Sequence, residues 1–247
     1  MNKDDISQAL RRPILYGSRF NELISKPTGQ TKQLAQGDTF YTVQVIKTWS
    51  NTFYNQVAKL AKVLQKPTLE QTCINIHSFL YNHLQYQADG TLQNLRSPAN
   101  SWHHRYDGID CKSYSIFASC ILANLGIAHY IRQIKQAGFN PENFSHVYIV
   151  VPSNQTTASL QNGYYTIDGT LKKTNEPSFL TKEDQFMGKL PHLGLNAPAK
   201  KKKAKIITAK KLCSSVIKKE GLKVNGQLKK GYRYDSKGKI VKAKTKK

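Results

Sequence analysis

A cysteine at position 111 follows Gly108-Ile109-Asp110 and opens the stretch YDGIDCKSYSIFASCILANLGIAHYIRQIK, Tyr106 to Lys135. The spacing predicts that Cys111 lies in the first turn of a helix, on one stripe with Tyr114, Ala118 and Ile121. A helix N-terminus carries roughly half a positive charge and unpaired N–H groups. Both stabilise a thiolate, and the N–H groups can also hold an oxyanion that forms beside the sulfur. The competing reading is a packing cysteine at the mouth of a core helix, since cysteine is among the most buried residue types.

A thiolate nucleophile needs a base within hydrogen-bond reach, and the base needs a group that orients it. His146 begins the strand-like run HVYIVVP, and Asp168 ends the run YYTID. If the two runs form a hairpin across 153–163, a symmetric loop sets His146 opposite Gly169. A one-residue asymmetry would bring His146 and Asp168 face to face, about 5 Å apart at Cβ. Separately, His146 reads as a strand-end histidine and Asp168 as a turn residue in Asp-Gly-Thr. Together with Cys111 they read as a nucleophile, base and orienter.

The segments GIDCKSYSIFASCILANLGIAHYIRQIK, FSHVYIVV and YYTIDGTL, in that order, resemble the transglutaminase-like superfamily, a branch of the papain-like cysteine-enzyme fold. The resemblance covers roughly residues 68–172. It includes YQADGTLQNLRSPANSWHHRYDG, which is similar to the lead-in of such domains in bacteria and phages of the Bacteroidetes type. It implies Cys111 as nucleophile, His146 as general base and acid, and Asp168 as orienter. It also implies an oxyanion helper ahead of the cysteine, with Gln93 and Trp102 as candidates. Many relatives carry an acidic residue directly after the cysteine, where this chain has Lys112. That cation would either favour the thiolate or be solvated. The implied chemistry is acyl transfer on amide bonds, as a peptidase or amidase acting on a peptide or protein. The alternative is a catalytically silent binding or virion structural module.

The elements that must position these residues are helices followed by an antiparallel sheet, an α+β order. An amphipathic helix is predicted from Asp38-Thr39 through Val43, Ile46, Trp49, Phe53, Val57, Leu60 and Leu64. Pro67-Thr68 should end it and start a second helix, apolar at Ile74, Ile76, Phe79, Leu80 and Leu84. A loop is expected from Arg96 to Gly108, then the Cys111 helix, closed by Gly126. Strands are expected at 128–134, 146–152 and 164–168. Residues 1–37 read as an arm, 38–196 as the transglutaminase-like domain and 197–247 as a basic linker and tail.

Charge sharpens that last boundary. The chain has 247 residues and a formal net charge of +23. From Lys200 onward, 18 lysines and one arginine face only Glu220 and Asp235, a net +17, which leaves +6 for the other 199 residues. The tail should hold a short basic helix at 206–220 and a small β-meander near Asn225-Gly226 and Ser236-Lys-Gly238. Lys229, Lys230, Tyr232, Arg233 and Tyr234 interleave cations with aromatics, a pattern suited to phosphates and bases. A nucleic acid or another polyanion is therefore an expected partner of 197–247, with a solubilising extension as the alternative.

Four sparse cysteines without Cys-x-x-Cys spacing argue against a disulfide scaffold and for a reducing compartment. The run Ser115–Ile131 is broken by Asn124 and Gly126 and is too short to cross a bilayer. The first fifteen residues have no apolar core, so neither a signal peptide nor a membrane partner is expected. A cytoplasmic location is expected, or a virion-associated one as the resemblance implies. Cys73 and His77 are four apart, yet no second pair completes a zinc site, and no acidic cluster suits calcium. No metal or other cofactor is expected.

Overall fold

The Cys111 helix is the hub of the fold. The structure, a computed structural model, describes residues 3–27, 31–34, 39–90, 92–138, 141–188, 228–230, 232–234 and 240–242. The chain divides into two compact units, Met1–His192 and Leu193–Lys247.

In the first unit the order is α1 (Lys3–Leu10), a 3-10 turn (Ser18–Leu23), β1 (Thr31–Leu34), α2 (Thr39–Phe53), a 3-10 turn (Tyr54–Val57), α3 (Ala58–Leu64) and α4 (Leu69–His83). Next come β2 (Gln93–Arg96), α5 (Pro98–His103), α6 (Cys111–Asn124), β3 (His129–Lys135), β4 (His146–Pro152), β5 (Tyr164–Ile167) and β6 (Thr181–Met187). This is an α+β fold with antiparallel sheets. Among the described residues no helix is long and apolar enough to cross a membrane.

Helix α6 starts where Asp110 accepts the N–H of Ser113 at 3.3 Å. It ends at Gly126, whose φ of +64° only glycine adopts without strain. Every residue from Lys112 to Ala123 is buried, because α2, α3, α4, α5 and β4 all pack on it. A four-stranded sheet in the order β5-β4-β3-β6 lies against it. Side chains alternate across a strand, so Ile131, Val147, Ile149, Val151 and Ile167 join the helical core. Ile134, Tyr148 and Val150 form a second cluster on the opposite face.

The structure corrects several expectations. The helix expected from Asp38-Thr39 to Leu64 is broken at Tyr54–Val57. There the Gln56 carbonyl accepts Ser25 N–H at 2.9 Å and the Tyr54 carbonyl accepts the Asn124 amide at 2.5 Å. Tertiary partners thus hold carbonyls that an α-ladder would need. The described part of 1–37 is no loose arm, since Phe20 and Ile24 sit in the core. The loop expected after Arg96 contains α5, capped by Ser97 with Pro98 in its first turn. Ile74, expected on the apolar face of α4, is 46% exposed.

The β4–β5 register also differs. Ser153 N–H donates to Gly163 O at 3.0 Å, and Pro152 pairs with Tyr164, Ile149 with Ile167. Continued past Ile167, that register sets Asp168 opposite Tyr148 and His146 opposite Thr170. Asp168 therefore reaches His146 along a same-face diagonal.

In the second unit, β7 (Tyr232–Tyr234) and β8 (Ile240–Lys242) form an antiparallel pair with Arg233 opposite Val241. The helix expected at 206–220 and both turn signals lie outside the described residues.

Candidate active site

Cys111 is the first residue of α6 and is partly exposed. The first four N–H groups of a helix have no partner within it. Here the Asp110 carboxylate takes one of the four, Ser113 N–H at 3.3 Å, while its carbonyl accepts the first bond of the helical ladder from Tyr114 at 3.1 Å. The N–H groups of Cys111 and Lys112 are left beside the sulfur, where the positive end of the helix dipole lies.

On the other side of the sulfur stands His146, at the start of β4, its side chain 13% exposed. Its Nε2 donates to Asp168 Oδ2 at 2.6 Å, so Nδ1 is the nitrogen available to Cys111. Burial favours the neutral imidazole. The charge and hydrogen bond of Asp168, then the hydrogen bond and charge of Cys111, outweigh it and push the His146 pKa up to about 10. Asp168 is 2% exposed. Burial alone would raise its pKa. His146, with hydrogen bonds from Thr170 N at 3.1 Å and Thr170 Oγ1 at 2.7 Å, holds it below the ordinary carboxylate value instead. An imidazolium between the buried Asp168 carboxylate and the Cys111 sulfur is the state these causes favour at neutral pH.

Neighbouring side chains fix the distances. Ser115 Oγ lies 2.9 Å from Cys111 O and 3.1 Å from Val147 O, which ties the Cys111 helix to the strand that carries His146. His77 Nε2 lies 2.9 Å from Leu171 O and tethers the chain just past Asp168. Gly169 is required there, because a Cβ would meet Leu80 Cβ at 2.7 Å and the Tyr114 ring at 2.8 Å. Tyr86 is buried and stacks on Tyr114. Burial, then the charges of Cys111, Asp168 and Asp89, raises the pKa of its phenol. The sequence reading missed Tyr86, Ser115 and Thr170. The Ser115 signal was available, four residues after Cys111 on the stripe that faces the sheet.

Other assignments need correcting. The single indole N–H of Trp102 donates to Asn21 Oδ1 at 2.9 Å, and its ring belongs to a core cluster with Phe20, Phe79 and His83. It is a core aromatic and not an oxyanion donor. Gln93 is half-buried on β2 and donates to Gly90 O at 2.7 Å, within its own loop. Lys112 is not solvated. It is buried against Asp110 and, at 3.3 Å, Asp89. Burial lowers its pKa and Asp89 opposes the shift.

Cys73 and Cys120 are buried mid-helix. Desolvation pushes the Cys73 thiol up to about 12 and raises Cys120 as well. Among the described residues, no three His, Cys, Asp or Glu side chains are grouped to hold a metal. In the second unit, Lys229, Lys230 and Arg233 are exposed, and Tyr232 and Tyr234 take alternate positions on β7. Comparisons with protein-family models, curated proteins and solved structures found no match.

Proposed function

We propose that this chain is a cysteine-dependent enzyme with a transglutaminase-like, papain-like core, acting on amide bonds of a peptide or protein. The observation that carries this reading is the 2.6 Å bond from His146 Nε2 to Asp168, which leaves Nδ1 open on an imidazole that also responds to Cys111 at the start of α6. In the proposed cycle Cys111, as the thiolate partner of the His146 imidazolium, attacks the amide carbonyl and a C–S bond forms. The N–H groups of Cys111 and Lys112 hold the resulting oxyanion. His146 passes its proton to the departing amine as the C–N bond breaks. Neutral His146 then takes a proton from water, and the hydroxide attacks the thioester, which releases the acid and restores the thiolate beside the imidazolium. Asp168 holds the ring orientation throughout.

Iodoacetamide labelling at pH 6 tests the resting state. Free cysteine, with a pKa of about 8.5, reacts slowly there. Labelling of the wild type should persist at pH 6, vanish in Cys111→Ser and slow in His146→Ala. A profile that matches free cysteine, together with no turnover of any peptide amide by the wild type, would count against the enzyme.

A second reading concerns the tail. Exposed Lys229, Lys230 and Arg233 beside Tyr232 favour contact with a nucleic acid or another polyanion. It would hold whether or not the triad turns over, and would suit a silent virion-associated module. Deleting residues 197–247 should abolish salt-sensitive retention on a DNA column. Unchanged retention would remove this reading.

A further inference from the structure

Arg12 stands in the segment expected to be loosely held, yet few side chains in the molecule are more fully bonded. Its Nε donates to Tyr81 O at 3.0 Å. One terminal nitrogen reaches Leu10 O at 3.1 Å and Thr170 O at 3.2 Å. The other reaches Gly169 O at 2.8 Å, Tyr114 Oη at 3.2 Å and Leu84 O at 3.3 Å. The guanidinium lies 3.9 Å over the Tyr81 ring. Its backbone is held too, since Arg12 N–H donates to Gln85 Oε1 at 3.1 Å and Gln85 Nε2 donates to Arg12 O at 2.5 Å.

These partners have a pattern. Tyr81 and Leu84 lie at the C-terminal end of α4, where a cation meets unpaired carbonyls and the negative end of the dipole. Gly169 and Thr170 are the two residues after Asp168. Tyr114 is three residues past Cys111 on α6. One planar fork thus joins the end of α4, the nucleophile's helix and the turn that presents the carboxylate. A lysine, with a single point of attachment, cannot span acceptors so arranged.

We propose that Arg12 is a positioning residue for the Cys111–His146–Asp168 site, and that the N-terminal segment sets the carboxylate–imidazole contact by clamping the turn at 169–170. This rests on the reading of that site given above. Within the turn the Asp168 carboxylate is held by Thr170, Leu171 N–H closes the turn onto Asp168 O at 3.2 Å, and His77 holds Leu171 O at 2.9 Å. Without the guanidinium, two buried carbonyls lose their donor and the turn can drift. A 2.6 Å bond loses much of its strength with a small drift.

The test reads the imidazole directly. The titratable groups facing His146 are Asp168, Cys111 and Tyr148, and those that feel the charge of Asp168 include His77, Tyr86 and Tyr114. Full-length wild type, Arg12→Met and Arg12→Lys are labelled at histidine and titrated by NMR. Melting curves confirm that each is folded. In Arg12→Met the His146 midpoint should fall by at least about one unit, which corresponds to roughly tenfold in the charged-to-neutral ratio. Cys111 alkylation at pH 6 should slow with it. Arg12→Lys keeps the stem and the charge, so it serves as the folded control if Arg12→Met does not fold, and it should also shift.

An unchanged midpoint in Arg12→Met, or in Arg12→Lys where only that variant folds, overturns the clamp. A wild-type midpoint near the ordinary 6.5 would instead sink the triad itself, whatever Arg12 does.

Discussion

The same sheet carries two charged clusters, each built around a buried side chain. Two residues beyond His146 on β4, Tyr148 donates to Glu176 at 2.7 Å, and Tyr164 donates to the same carboxylate at 2.5 Å. Arg132, fully buried on β3, binds Glu176 at 2.5 Å and Asp184 through two bonds of 2.6 and 2.8 Å. All three guanidinium nitrogens meet a carboxylate oxygen. That cluster is closed, and it ties the 170s loop to both β3 and β6. The His146–Asp168 cluster is built from the same chemistry but left open. One imidazole nitrogen faces a partly exposed sulfur, with two backbone N–H groups beside it. Buried charge is common to both, so burial and perturbed titration alone would not tell them apart. The unfilled valence does.

The contrast breaks most sharply under single substitutions. Cys111→Ala or His146→Ala should abolish turnover, on the order of 10^4-fold or more, while the melting temperature moves little for Cys111→Ala. Arg132→Met should do the reverse. Removing the Arg132 cation leaves Glu176 and Asp184, whose side chains are 20% and 22% exposed, without their partner, at a cost below the roughly 3–5 kcal/mol of a fully buried pair. Chemical denaturation should show that loss, with Cys111 labelling unchanged per folded molecule. If Arg132→Met is as stable as wild type yet unreactive, the roles of the two clusters are exchanged and the comparison fails.

Asp168→Asn sharpens it next, through pH. The folded His146 value of about 10 exceeds its ordinary 6.5, so its contribution to stability is whole below 6.5 and is lost as pH climbs through 10. The depressed Asp168 value acts at the other end: its contribution is present above the ordinary 3.8 and is lost as pH falls through the lower folded value. The gap in melting temperature between wild type and Asp168→Asn should be widest between about pH 4 and 6.5. It should close toward pH 10. Turnover should drop by roughly 10^2-fold or more, since the ring loses its orienter. A gap that widens with rising pH would mean that His146 is neutral in the folded protein.

The nucleophile helix, the His146 strand and the Asp168 turn were legible because each is a local pattern: a capped apolar run, a β-branched run and an Asp-Gly turn. What connects them was not. The register depended on how 153–163 closes, and one backbone bond, Ser153 to Gly163, moved Asp168 from opposite His146 to opposite Tyr148. Strands β1, β2 and β6 are short or polar, TKQL, QNLR and TKEDQFM, and offer no clear period-2 apolar signal. The role of Lys112 stayed open between favouring the thiolate and being solvated, because its partner Asp89 lies 23 positions away. Arg12 carried no signal in the sequence, because all but one of its acceptors are supplied by distant residues. Trp102 fits its proposed role in chain order but not in space, since its only donor already serves Asn21.

The smallest expected effect comes from Ser115, which separates the two clusters in kind. Its hydroxyl has one proton shared between Cys111 O and Val147 O, so it bridges α6 and β4 with neutral bonds only. Loss of such a bond costs about 1 kcal/mol, far less than the loss of Arg132. A purely structural bridge would show that cost and nothing more. A bridge that sets the sulfur–imidazole distance should also slow Cys111 labelling at pH 6 several-fold, while labelling in strong denaturant stays the same. Ser115→Ala should therefore melt close to wild type yet react more slowly, and Ser115→Thr, which keeps the hydroxyl, should recover part of the rate. Equal rates in all three would leave the spacing to the α6–β4 packing alone.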